Sequence, residues 1–146
     1  MSNEDVVKTL NKFLQGQYMG IHAYEHYIGK LKDRYVKKEF QGIQQDHKEH
    51  AQRVAERIQN LGGKPVDDEG IVGSLQGFIG KFSIPEDTDG IIESARKGES
   101  YYGIEISEEI VKGDLDKETH RIVKGILDKD RKHVDLLDRM SHDRRP

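Results

Sequence analysis

Four stretches of this chain place ligating side chains where a helix normally places Leu or Ile. In QQDHKEHAQRVAERIQNL, residues 44–61, the steps of three and four that join Phe40, Ile43, Val54 and Ile58 pass through His47 and His50. Residues i and i+3 share a helix face, so both imidazoles point into whatever this helix packs against. The apolar series Leu10, Leu14, Ile21, Tyr24 leaves a gap of seven that Gln17 fills, and Glu99 interrupts the series Ile92, Ala95, Tyr102, Ile106. Asp130 and His133 do the same within Ile122, Ile126, Leu137, Met140. Six such groups in apolar seams would each cost on the order of 1–3 kcal/mol if unsatisfied. Neutral imidazole and ionised carboxylate both donate lone pairs to a cation, so one shared metal site satisfies them together. The competing arrangement is a metal-free layer of His–carboxylate hydrogen bonds.

Composition narrows the metal chemistry. The chain has no cysteine, which removes disulfides, zinc ribbons, iron–sulfur ligation and thiol catalysis. Any transition metal must be held by His and carboxylate, which suits iron, zinc or manganese. The net charge of −3 includes no basic block, so nucleic acid is not an expected partner. MSNEDVVKTL has no basic and apolar leader pattern, and no apolar run approaches the ~18 residues of a membrane span. A cytoplasmic protein without a membrane partner is expected.

The elements that must position these groups are helical. At 146 residues, 34% hydrophobic and 35% charged, with a mean hydropathy of −0.83, the chain reads as one domain spanning 1–146, a surface-rich bundle with narrow apolar seams. Ser2 or Asn3 caps a first helix over about 4–32. A second helix follows Asp33 and Arg34 and runs to Leu61, where Gly62, Gly63 and Pro65 stop it. Residues 64–87 are too long for an ordinary loop and predict a crossover along the bundle, with a short helix at about 69–81. A third helix is expected from Asp87 or Thr88 to about Lys112, closed by Gly113. The fourth starts at Asp114 or Asp116 and reaches about Met140. The fold class is therefore all-α: a four-helix bundle with one long crossover, at about 62–87, between helices 2 and 3. No Rossmann fingerprint, P-loop or nucleophile elbow is present.

The ligating residues follow the order single, pair, single, pair: Gln17, His47 with His50, Glu99, and Asp130 with His133. Ferritin-like di-metal proteins carry one Glu on each of two helices and Glu-x-x-His on each of the other two, and the chain resembles that superfamily over nearly all its length. LNKFLQGQYMGIHAY, residues 10–24, is similar to the first helix of bacterioferritins, with Gln17 where they have a metal-bridging Glu. HKEHAQRVAERIQNLGG, residues 47–63, is similar to their second, with His47 in the Glu position. GSLQGFIGKF at 73–82, ARKGESYYG at 95–103 and the helix around His133 resemble a ferritin-like family of unassigned function.

The resemblance implies a metal-binding bundle with iron as the expected cofactor, and with Gln17, His47, His50, Glu99, Asp130 and His133 as its ligand set. Zinc, manganese and a metal-free core are the other outcomes left open. It also implies redox chemistry linked to dioxygen or peroxide, whereas the alternative is a non-enzymatic structural or stress-related bundle. With two carboxylates in place of four, a single ion held by three histidines competes with a di-iron pair. Tyr102, one turn from Glu99, is the expected hydrogen-bond donor to the site. His22, Glu25 and His26 read as a solvated face, with His22 able to join the site, and His120 and His142 read as surface residues. Phe78 and Phe82 in the crossover are the expected place for self-association into a homo-oligomer such as a dimer.

Overall fold

A computed structural model describes residues 2–68, 84–113 and 115–144, and these described residues form four rods of helix. Helix α1 spans Asn3–Lys30 and is started by a reciprocal capping box, in which the Ser2 side chain accepts from the Asp5 backbone and Asp5 accepts from that of Ser2. Asp33 caps α2, Arg34–Asn60, and Gly62 closes it at φ +85°, in the left-handed region that glycine enters without a Cβ penalty. The third rod begins with α3, Thr88–Gly98, capped by Asp87. Helix α4, Lys117–Asp143, is capped by Asp116. The expected crossover helix at 69–81, Phe78, Phe82 and the Asp114 capping option lie outside the described residues.

The third rod is not the uninterrupted α-helix that the sequence predicts. After Gly98 it continues as a π-helical segment, Glu99–Ile106, before a last α-turn at Ser107–Ile110. Extended π geometry is rare and concentrates where function needs a helix locally widened. Here it begins at Glu99, one of the residues out of place in an apolar seam.

Apolar packing divides into two clusters along the bundle. One contains Tyr24, Tyr27, Phe40, Ile43, Ile92 and Leu137, and the other Leu10, Phe13, Leu14, Val54, Ile58 and Ile126. Along α1 the sequence passes from the second cluster through Gln17 to the first, and along α2 from the first through His47 and His50 to the second. Helix α4 repeats the passage through Asp130 and His133. All six polar residues therefore lie at the joint between two apolar halves, at one height. The seam on α1 is wider than its sequence steps indicate, because Val6, Phe13, Ala23 and Tyr27 are also buried while Ile21 and Ile28 are only half-buried.

The ends of the rods are tied by polar clasps. Arg57 of α2 reaches Asp116 Oδ2 at 2.6 Å and Thr119 Oγ1 at 3.0 Å on α4. Arg144 bonds Asp33 at 3.0 Å, joining the end of α4 to the α1–α2 turn. Among the described residues, no helix is long and apolar enough to cross a membrane.

Candidate metal centre

Every one of the six expected side chains is buried. Their exposures are Gln17 3%, His47 4%, His50 6%, Glu99 4%, Asp130 0% and His133 3%. Four of them, His47, Glu99, Asp130 and His133, each offer one ligand atom, and these atoms all lie within 4.8 Å of one another. His50 stands at the edge of this group, with Nδ1 3.9 Å from Asp130 Oδ1. Gln17 lines the same cavity as His47, Glu99 and Asp130.

Hydrogen bonding fixes the orientation of two of the imidazoles, those of His47 and His133. His47 Nε2 lies 2.7 Å from Glu99 Oε1, which leaves Nδ1 turned inward, 3.9 Å from Asp130 Oδ1. His133 Nε2 lies 2.8 Å from Asp46 Oδ2, which leaves its Nδ1 3.4 Å from Glu99 Oε1 and 3.5 Å from Asp130 Oδ1. A ring whose outer nitrogen is engaged by a carboxylate presents the inner lone pair, the arrangement a metal-ligating histidine requires. Asp46 was not among the expected site residues. Its one sequence signal is a position four residues before His50, beside the seam rather than in it.

Tyr24 supplies a phenol to the site: its hydroxyl donates to Glu99 Oε1 at 2.8 Å, and Tyr102 lines the same cavity. Tyr102 stands one turn from Glu99 on the same rod, and α1 brings Tyr24 in from the facing side. The hydroxyl of Ser107 turns to the Tyr102 carbonyl at 3.3 Å within the widened π turns. Gly103 completes this geometry, since a Cβ there would stand 3.1 Å from Glu99 Oε2. Glu25 and His26 are exposed and His22 is half-buried, as a solvated face requires, and Glu25 accepts from Gln44 at 3.0 Å. Glu105, Glu108, Glu109, His120 and His142 are exposed.

Buried polar groups elsewhere among the described residues find partners. Gln44 donates to the Ile21 carbonyl and to Glu25, and Thr119 bonds Asp116. The buried side-chain atoms left without one are Gln17 Oε1, His47 Nδ1, His50 Nδ1, both oxygens of Asp130, and His133 Nδ1. Six orphaned atoms, all nitrogen or oxygen lone-pair donors, gather in one layer. That is the donor set of a cation site, and a metal fits it.

The charges follow from this packing. Burial alone would raise Glu99, but the adjacent His47 and His133 hold it well below the usual carboxylate range. Burial likewise opposes protonation of His133, yet Asp130, Glu99 and Asp46 outweigh it and push its pKa up to about 10. His47 is raised in the same sense, burial being outweighed by Glu99. Asp130 is raised by burial. His50 is lowered to about 4 by burial and by the neighbouring His47 and His133. Burial and Glu99 together hold the Tyr24 phenol well above its ordinary value, so it stays a donor.

A family model described as "Domain of unknown function (DUF2383)" matches residues 5–112. Among solved structures, the chain is similar to ferritin-like, diiron-carboxylate proteins from Bacillus anthracis str. Ames, with a TM-score of 0.67 and 24% identity over 97% of this chain and 99% of that one. It is also similar to the bacterioferritin-related protein of Bacteroides fragilis, described as a dodecameric thioferritin, with a TM-score of 0.72 and 20% identity over 98% of this chain and 88% of that one. Comparison with curated proteins finds no match. At these identities the likeness establishes the fold, which is ferritin-like.

Proposed function

We propose, from the premise that this chain belongs to the family described as a domain of unknown function (DUF2383), that it is a ferritin-like protein binding iron in the core of its bundle. One observation carries the reading: His47, Glu99, Asp130 and His133 offer ligand atoms within 4.8 Å of one another while lone pairs on Asp130, His47 and His133 have no partner. These four form the primary cage, and His50 and Gln17 at its edge are the weaker ligands for a second ion. Two histidines and two carboxylates accept iron, zinc or manganese alike. A cavity lined by Gln17, Glu99 and Asp130 leaves space beside the cage, as a reactive centre needs and a closed structural zinc site does not. The di-iron description of the B. anthracis proteins points the same way.

Iron held there supplies one-electron chemistry between ferrous and ferric states, with dioxygen or a peroxide as the oxidant class. The protein's own part is to hold the donors and manage protons. Asp46 keeps the His133 ring turned inward, and Tyr24 steadies Glu99 by donating to Oε1. The two apolar halves of the core keep bulk water from the layer.

We further read the protein as a homo-oligomer, a reading supported by the dodecameric description of the B. fragilis protein and by the exposed rings of Tyr35 and Tyr101. Light scattering of the purified chain measures this.

Metal analysis of protein purified without chelator, repeated on His50→Ala and His133→Ala, tests the assignment. Stoichiometric iron in the wild type, lost in His133→Ala and reduced in His50→Ala, is expected. Metal-free wild-type protein that melts cooperatively and ignores added Fe(II) favours a structural bundle, in which the Glu99–His47 and His133–Asp46 bonds are the purpose of the layer.

A further inference from the structure

Helices α2 and α4 leave a trough along their shared face. One part, about 230 Å³, is lined by Tyr35, Val36, Met140 and Arg144, and the other, about 360 Å³, by Glu39, Asp46, Lys129 and Lys132; the two meet at Leu136 and Arg139. The floor is apolar, with Val36 and Ile43 buried and Leu136 half-buried. Tyr35, whose ring is 64% exposed, stands at one end. The rims carry opposite charge: Glu39 and Asp46 on α2, and Lys129, Lys132 and Arg139 on α4. Lys129 lies 3.8 Å from Asp46, whereas Glu39, Lys132 and Arg139 find no ion-pair partner among the described residues. The two helices run antiparallel, and the contacts of Asp46 with His133 and Lys129 set their register, which places Glu39 level with residues 136–139.

We propose that this trough is the contact surface between two copies of the chain, related by a two-fold axis that runs along it. This assignment rests on the reading of the protein as a homo-oligomer and gives that oligomer its contact surface. A partner of one charge sign would satisfy one rim and be repelled by the other, so the face fits a partner that is itself two-signed. A second copy is such a partner. Turned about an axis parallel to the trough, it lays the acidic α2 rim of each copy over the basic α4 rim of the other at the same height, Glu39 against Arg139 and Asp46 against Lys129 and Lys132. An axis across the trough would set α2 on α2 and acid on acid, so the charges choose between the two. The same turn carries each exposed Tyr35 ring onto the facing end of α4, beside Met140. Gly42 lies between Glu39 and Asp46, is exposed, and a Cβ on it would meet nothing within 4 Å. Packing within the chain does not call for glycine there; a helix laid against it does, since backbone without a Cβ admits the closest approach.

The test is charge reversal on the full chain, read by sedimentation over a range of concentrations. Glu39→Arg and Arg139→Glu each turn both cross-copy pairs into like-charge pairs, because the two-fold repeats the contact. The concentration at half-dissociation is expected to rise about tenfold or more in either variant, with helical circular dichroism unchanged. Lys132→Glu, at an exposed position, is a further probe and is expected to weaken association likewise. The double variant Glu39→Arg/Arg139→Glu, and an equimolar mixture of the two single variants, are expected to associate as the wild type does. A wild type that stays monomeric overturns both the homo-oligomer reading and this face. Association that all three single variants leave untouched overturns the face alone and leaves the trough to another partner. Weakened single variants that neither the double variant nor the mixture restores overturn the pairing and, with it, the axis.

Discussion

Around Glu99 and Asp130, protons stand where a metal's charge would be. Against the opposing effect of burial, Asp130, Glu99 and Asp46 push His133 up to about 10, and Glu99 raises His47 in the same sense. The sign follows directly. Stabilisation of the metal-free protein by protonated His133 is complete below the ordinary imidazole value and is lost as pH rises through about 10. A divalent ion must displace those protons, so its affinity should rise with pH between about 6 and 8, with up to two protons released per ion; calorimetry in buffers of different ionisation enthalpy counts them. A pH-independent affinity contradicts this charge balance. Asp46→Ala should weaken metal binding roughly 10- to 100-fold with the fold retained, because the His133 ring loses the partner of Nε2. Competition against a chelator reads that change. At this scale the sequence carries most of the site, since burying His or Asp in an apolar seam leaves a periodic trace. It hides Asp46 and Tyr24, whose roles come from neighbouring helices and have no spacing to betray them.

Between residue and bundle stands the third rod, where the π-helical turns of Glu99–Ile106 replace the expected α-helix. Hydrophobic steps at 92, 95, 99, 102 and 106 fit an α-helix well, and periodicity has no term for one residue inserted into a turn. Gly98 precedes the change and Gly103 lies within it, but glycines are also spread through α1, so they do not single it out. Gly103→Ala should press its Cβ against Glu99 Oε2 and move that carboxylate off the other donors. Lower metal affinity with unchanged helical circular dichroism is the expected result. Gly62→Ala acts differently: at φ +85° the new Cβ strains the stop of α2, costing about 1–2 kcal/mol of stability far from the metal. Chemical denaturation should register that loss while metal affinity stays at the wild-type value. Caps and stops at Ser2, Gly62 and Asp116 are legible in sequence because each satisfies backbone groups locally.

At the scale of the molecule, the described residues form two apolar clusters joined across one polar layer. Six orphaned polar atoms in that layer weaken the metal-free protein, so an ion bound there stabilises the native state by mass action. At about 100-fold excess over its dissociation constant the gain is about 2.7 kcal/mol. Thermal scans with and without Fe(II) under nitrogen should register a rise of several degrees, absent in His133→Ala. Bundle architecture was readable because each helix keeps one seam along its length, whereas surfaces that join copies of the chain leave no such periodicity. The most direct test is anomalous diffraction at the iron edge from crystals soaked anaerobically in Fe(II). A peak bounded by His47, Glu99, Asp130 and His133 is predicted; ordered crystals with no peak there, or with iron only on the surface, would contradict the account.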